Sequence, residues 1–206
     1  MLTRWSKPHL EFGGCPMKRK LPKLALAAVG VLLGATIALY VIGGRTAAYR
    51  ADIEIDASPV TVFTYLTETD LLLQWMDGVT KIEPLTEGGH RVGARARITI
   101  QDNENATPVV MDDEVLRSEP GQQLEVRLTS SAIVATSTYD LHSHGSSTHL
   151  SHEFRGDFSG VMRIFAPFVA GSIQQKLRED LQRLKELVES RPKKEQTPID
   201  PAEDAE

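Results

Sequence analysis

Residues 133–189, IVATSTYDLHSHGSSTHLSHEFRGDFSGVMRIFAPFVAGSIQQKLREDLQRLKELVE, change their hydrophobic period once, and that change decides the fold. Up to Phe158 the side chains alternate, as in strands with two unlike faces. Gly145-Ser146 interrupts the alternation as a two-residue type II′ turn, so Leu141 faces Leu150, Tyr139 faces His152 and Ser137 faces Phe154, with His142 opposite His149 on the other surface. From Val161 the period becomes helical. Ile164, Phe165, Phe168, Ile173, Leu177, Leu181, Leu184 and Val188 make an apolar stripe, and Lys176, Glu179, Asp180, Arg183 and Glu186 a polar one. Pro167 and Gly171 allow a bend near its start. The helix cannot bury this stripe alone, so it is expected to lie on one face of the antiparallel sheet, with coiled-coil pairing as the alternative.

Upstream, the same period predicts strands over Val79–Thr86, Val92–Gln101, Val109–Ser118 and Gln122–Thr129, separated by segments rich in Gly, Pro, Asn and Asp. Val92, Ala94, Ala96, Ile98 and Ile100 point inward with Leu124, Val126 and Leu128, while Arg91, Arg95 and Arg97 point outward. Ala51–Ile55 reads as a first strand. Ser58-Pro59 then opens a helix, with serine as cap and proline in the first turn, and Asp70–Trp75 forms a second short helix. The fold class is α+β: about seven antiparallel strands and a long terminal helix over residues 51–189.

The flanks differ from this body. Residues 1–45 carry seven Lys/Arg against one acid, and residues 46–206 carry sixteen against twenty-seven, so the net charge of −5 is an average of two unlike parts. An acidic body lacks the positive footprint of a nucleic-acid binder. The twenty uncharged residues 24–43, as a helix, match the roughly 30 Å of a bilayer's hydrocarbon core and predict a transmembrane helix. The basic segment 1–23 predicts a cytoplasmic amino terminus, with a linker at 44–50 and a periplasmic or otherwise extracytoplasmic body. A cleaved signal peptide ending near Thr46-Ala47-Ala48 is the competing reading. Met17 opens a compact basic-then-apolar start, so 1–16 reads as an upstream extension. Residues 190–206 have little to bury and read as a disordered tail. Cys15, the lone cysteine, excludes an intrachain disulfide and a thiolate metal cluster.

Several stretches, Ile55-Asp56-Ala57-Ser58-Pro59-Val60-Thr61-Val62-Phe63, Leu73-Gln74-Trp75-Met76-Asp77-Gly78-Val79, Val92-Gly93-Ala94-Arg95, Glu114-Val115 through Pro120, and Leu177 through Glu189, resemble the START-like or SRPBCC superfamily, in its polyketide cyclase/dehydrase branch. The resemblance implies a helix-grip fold, a curved sheet wrapped around the long helix to leave a cavity. It also implies ligands such as lipids, sterols, quinones or polyketides, with catalysis in some members only.

Independently, a long helix across a curved sheet leaves an apolar hollow in which a few polar groups orient a ligand. The expected ligand-binding set is Tyr139, His152 and Phe154 on the sheet, Trp75 and Met76 at the mouth, and Phe165 and Phe168 on the helix. Asp113, on a strand face with Met111 and Val115, is the one weak candidate for an acid or base; no catalytic residue is assigned. His142, His144 and His149 share an outer face near a hairpin end and are weak metal candidates, with no metal or cofactor expected. The leading reading is binding of a lipid, quinone or similar molecule beside a membrane, with the bilayer as partner through residues 24–43. The alternatives are a cyclase- or dehydrase-like enzyme and an interaction domain with a filled cavity.

Overall fold

The computed structural model describes residues 23–87, 89–101 and 105–190, with the backbone alone for Lys23, Leu24 and Leu26. The chain divides into two compact units, 1–36 and 37–206. Helix α1 (Lys23–Ile42) is followed by β1 (Ala47–Ile55), α2 (Pro59–Thr67), α3 (Thr69–Trp75), β2 (Val79–Pro84), β3 (Arg95–Ile100), β4 (Val109–Glu119), β5 (Gln123–Thr129), β6 (Ile133–His144), β7 (Ser147–Phe158) and α4 (Met162–Glu189). The seven strands form one antiparallel sheet in the order β1-β7-β6-β5-β4-β3-β2.

The β6–β7 hairpin has the expected register, with Tyr139 opposite His152, Leu141 opposite Leu150, Ser137 opposite Phe154 and His142 opposite His149. Gly145 turns the chain at φ +66°, and among the described residues none other than glycine has positive φ, as a type II′ turn with Ser146 second requires. Ser58 caps α2, its Oγ accepting from Thr61 N, with Pro59 in the first turn.

Two strand expectations are corrected, and one irregularity was not expected. The first strand begins four residues earlier, at Ala47, because its pairing with β7 continues back to Ala47 opposite Gly156. β3 begins only at Arg95; Val92, expected to point inward, lies in the loop before it and is exposed. A bulge at Leu116 shifts the β4–β5 register between Val115 and Arg117, which re-aims Ser118 to the same face as its partner Leu124.

Helix α4 packs against β1, β7, α2 and α3. Its carboxyl half buries Leu177, Leu181, Leu184 and Val188 as the helical period predicts. Its amino half does not follow the stripe, since Phe165 and Phe168 are 51% and 69% exposed. Asp180, expected on the polar side, is buried against the turn after α3. There it accepts from Asp77 N at 3.2 Å and pairs with Arg183 at 2.9 Å and with Lys176.

The expected membrane anchor is also corrected. Among the described residues no helix is long and apolar enough to cross a membrane. The final turn of α1 belongs to the second unit, where the Arg163 guanidinium lies 5.4 Å over the Tyr40 ring and a Cβ on Gly43 would collide with the Arg163 carbonyl. The single-pass topology, the cytoplasmic amino terminus with an extracytoplasmic body, and the bilayer as partner through 24–43 fall with it. The expectations for residues 1–16 and, apart from Ser190, for the tail at 190–206 lie outside the described residues.

The two halves of α4 separate in stability. Leu184→Ala, at 0% exposure, is expected to cost about 2–5 kcal/mol in urea unfolding. Phe168→Ala is expected to stay within about 0.5 kcal/mol of wild type. Equal losses at the two positions would contradict the burial described.

Candidate functional site

The expected ligand set divides into buried core and outer surface. Tyr139 and His152 stack at 4.0 Å between ring centroids, inside the core. The Ser137 hydroxyl shares a hydrogen bond of 2.6 Å with His152 Nε2 and also meets the Tyr139 hydroxyl. Burial pushes the His152 imidazole down to about 3 and the Tyr139 phenol well up, so both are neutral. Trp75 is fully buried, its indole N–H donating to Tyr65 O at 3.0 Å, and Met76 packs beside the same core. Phe154 tilts against Tyr49. Phe165 and Phe168 face outward. None of these seven lines the cavity.

The cavity, about 880 Å³ and open on one side, lies elsewhere, between α2 and the β2–β3–β4 end of the sheet. Its floor is Phe63 of α2, Ile82 of β2, Ala94 and Ala96 before and within β3, and Asp113 and Val115 of β4. Ala96 sits directly opposite Asp113, and Ala94 next to Val115. Two small side chains on a concave face leave the volume that larger ones would fill. The rim is formed by residues 85–87 and 89–92 together with Glu68 and Thr69 at the α2–α3 junction. Gly89 at φ +63° and Gly93 at φ +83° let this loop fold over without strain. Burial lowers the pKa of His90 in this loop, the nearby Glu68 opposing the shift in part. The Arg91 guanidinium donates to Glu87 O at 2.9 Å.

Asp113 is the one expected site residue that the structure places in this cavity. It is 7% exposed, its Oδ1 has no hydrogen-bond partner within the protein, and burial raises its carboxyl to about 6, offset in part by a backbone hydrogen bond from Glu114. The weak signal for it was its alternation with Met111 and Val115. The remaining lining was missed, because its clearest mark, the pair Ala94 and Ala96 among outward arginines, reads equally as ordinary core.

The outer-face histidines acquire neighbours that the sequence did not bring near. His144 Nδ1 lies 2.9 Å from Glu54 Oε1, and His149 lies 3.6 Å from Glu54 and 3.7 Å from Asp52, both on the adjacent β1. Among the described residues no group of three His, Cys, Asp or Glu side chains is arranged to hold a metal ion.

The folded chain keeps the Asp113 proton up to about pH 6, whereas the unfolded chain releases it in the ordinary carboxylate range. The folded state therefore binds more protons between these values. The contribution of this group is fully present below the unfolded pKa and is lost as pH rises through about 6. Replacing Asp113 by Asn should shift the stability difference in favour of the variant between pH 4 and pH 8, by on the order of 2 kcal/mol. Urea midpoints at the two pH values measure this, and a pH-independent difference would contradict a buried, unpaired carboxyl.

Solved structures share the fold. Protein MLL2253 from Mesorhizobium loti aligns with TM-score 0.56 and 20% identity over 72% of this chain and 99% of its own. CV1439 from Chromobacterium violaceum aligns at 0.57 and 17%, covering 70% and 99%, and TTHA0849 from Thermus thermophilus at 0.57 and 16%, covering 70% and 98%. A sequence search of curated proteins returned no match. Residues 46–189 match the family described as "Polyketide cyclase / dehydrase and lipid transport", close to the 51–189 expected from the resemblance. By that match over most of its length, the chain belongs to the polyketide cyclase/dehydrase and lipid transport family.

Proposed function

We propose that the protein binds a hydrophobic small molecule, of the lipid or quinone kind, in the cavity between α2 and β2–β4, without transforming it. Family membership supports hydrophobic-ligand binding in general. The observation that carries the reading to this place is a hollow of about 880 Å³ floored by Phe63, Ile82, Ala94, Ala96 and Val115, with the Asp113 carboxyl and the hydroxyls of Thr67 and Ser118 in its lining. That volume falls within the range of small-molecule sites, about 300–1,000 Å³, and argues against an interaction domain with a filled cavity.

The absence of conversion rests on how the polar groups are distributed. Tyr139 and His152, whose convergence with Asp113 on one empty spot would favour an enzyme, are turned into the core and engaged with Ser137 and with each other. Asp113 is the titratable group of the floor among the described residues, and Glu68, Glu87 and His90 of the same cavity stand at its rim. General acid–base chemistry usually needs positioned partners for proton delivery and removal.

Ala96→Trp should fill the floor and reduce binding of a polarity-sensitive dye such as N-phenyl-1-naphthylamine at least tenfold, with the fold retained by circular dichroism. Phe168→Ser, outside the cavity, should leave binding unchanged. The reverse pattern would move the site to the exposed start of α4.

A further inference from the structure

We infer that the cavity selects, among hydrophobic molecules, those whose inserted end carries a hydrogen-bond donor, a hydroxyl or an ammonium, and disfavours those ending in a carboxylate. The inference rests on the cavity reading above and names the chemistry that the cavity recognises.

Asp113 lies on the floor rather than at the rim. Its lining neighbours Phe63, Ala94 and Val115 are buried, whereas Leu85 and Val92 of the rim are exposed. The strand pairing places Ala96 on one side of it and Leu128 on the other, and Met111 and Val115 share its face along β4. None of these can donate a side-chain hydrogen bond. The hydroxyl of Thr67, also in the lining, is already donated to Phe63 O at 3.0 Å. Oδ1 of Asp113 is thus left without a partner, although buried polar atoms are nearly always paired, because an unpaired one carries its full desolvation cost. Arg95 and Arg97, the nearest arginines in sequence on β3, point to the opposite face, where Arg97 pairs with Asp112 at 3.0 Å.

The charge of the lining points the same way. A fatty-acid carboxylate needs a cationic or donor-rich pocket, and the floor offers a lone carboxyl. Arg91 is at the rim, but Glu68 and Glu87 stand there with it, so the rim is no net attractor for an anion. A hydroxyl or ammonium entering head-first meets the Asp113 carboxyl, the acceptor group of the cavity floor. A carboxylate meets like charge in a medium that screens poorly.

Isothermal titration calorimetry at pH 7.5 on the full chain, with four twelve-carbon probes below their micellar concentrations, tests this. Dodecylamine and dodecan-1-ol should bind at least tenfold more tightly than dodecyl methyl ether, which lacks the donor, and than dodecanoate. The tighter of the two donor probes tells whether the cavity takes a cationic or a neutral head. Asp113→Asn and Asp113→Leu, each checked for folding, should narrow the gap between amine and dodecanoate at least fivefold. Dodecanoate or the ether binding as tightly as the donors overturns the inference and leaves the cavity reading standing, as does a gap unchanged in both variants. If none of the four binds, the cavity reading fails and the inference with it.

Discussion

A curved seven-stranded sheet offers more concave surface than one helix can cover. An α-helix with its side chains is about 10–12 Å across, roughly two strand spacings. Here α4 lies on the β1 and β7 side, and its buried Leu177, Leu181, Leu184 and Val188 meet the core there. The placement is fixed at both ends of that stretch. Asp180 and Arg183 hold the turn after α3, Arg183 Nε donating to Trp75 O, while Glu189 accepts from Asp56 N at 2.8 Å and Lys185 donates to Glu54 O. A helix clamped to the β1 edge leaves the β2–β4 edge to α2 and a loop, and the cavity opens there.

The polar groups of the concave face follow from the same division. Those in the covered part are paired among themselves, with His152 Nδ1 the one atom of the cluster left over. Ser137 serves both His152 and Tyr139, the two rings stack, and the Thr148 hydroxyl donates to Ala57 O at 2.7 Å. Neutral imidazole and neutral phenol are the forms least costly to bury, which is why both pKa values move away from the charged state. Asp113, on the uncovered side, has no such side-chain cluster around it. The same residue type at Asp180 is compensated by Lys176 and Arg183. The contrast between the two buried aspartates therefore separates a residue that holds the fold from one that lines the cavity.

On the convex face, cross-strand pairs such as Arg97–Asp112 and Arg127–Glu114 are exposed and contribute little individually. Their value is in the alternation itself, since arginines outside and alanines inside set which face of β3 is concave. The His142/His149 row belongs to this outer surface, and its carboxylate neighbours come from β1, where Glu54 precedes His144 by 90 residues.

Strand alternation, the Gly145-Ser146 turn, the Ser58-Pro59 helix start and the change of period after Phe158 are local properties, set by backbone geometry and side-chain spacing. For that reason the sequence alone determined the α+β class, the β6–β7 register and the buried carboxyl half of α4. Which side of the sheet α4 would cover is not local. It depends on Asp180, Lys185 and Glu189 meeting backbone atoms far along the chain, and only the tertiary structure decided it. That decision moved the cavity away from Tyr139, His152, Phe165 and Phe168. It left Asp113, between Ala96 and Leu128, as the singled-out residue facing the open space. The helical period of 24–43 is likewise legible in the sequence, whereas the meeting of its last turn, at Tyr40 and Gly43, with Arg163 is a tertiary contact.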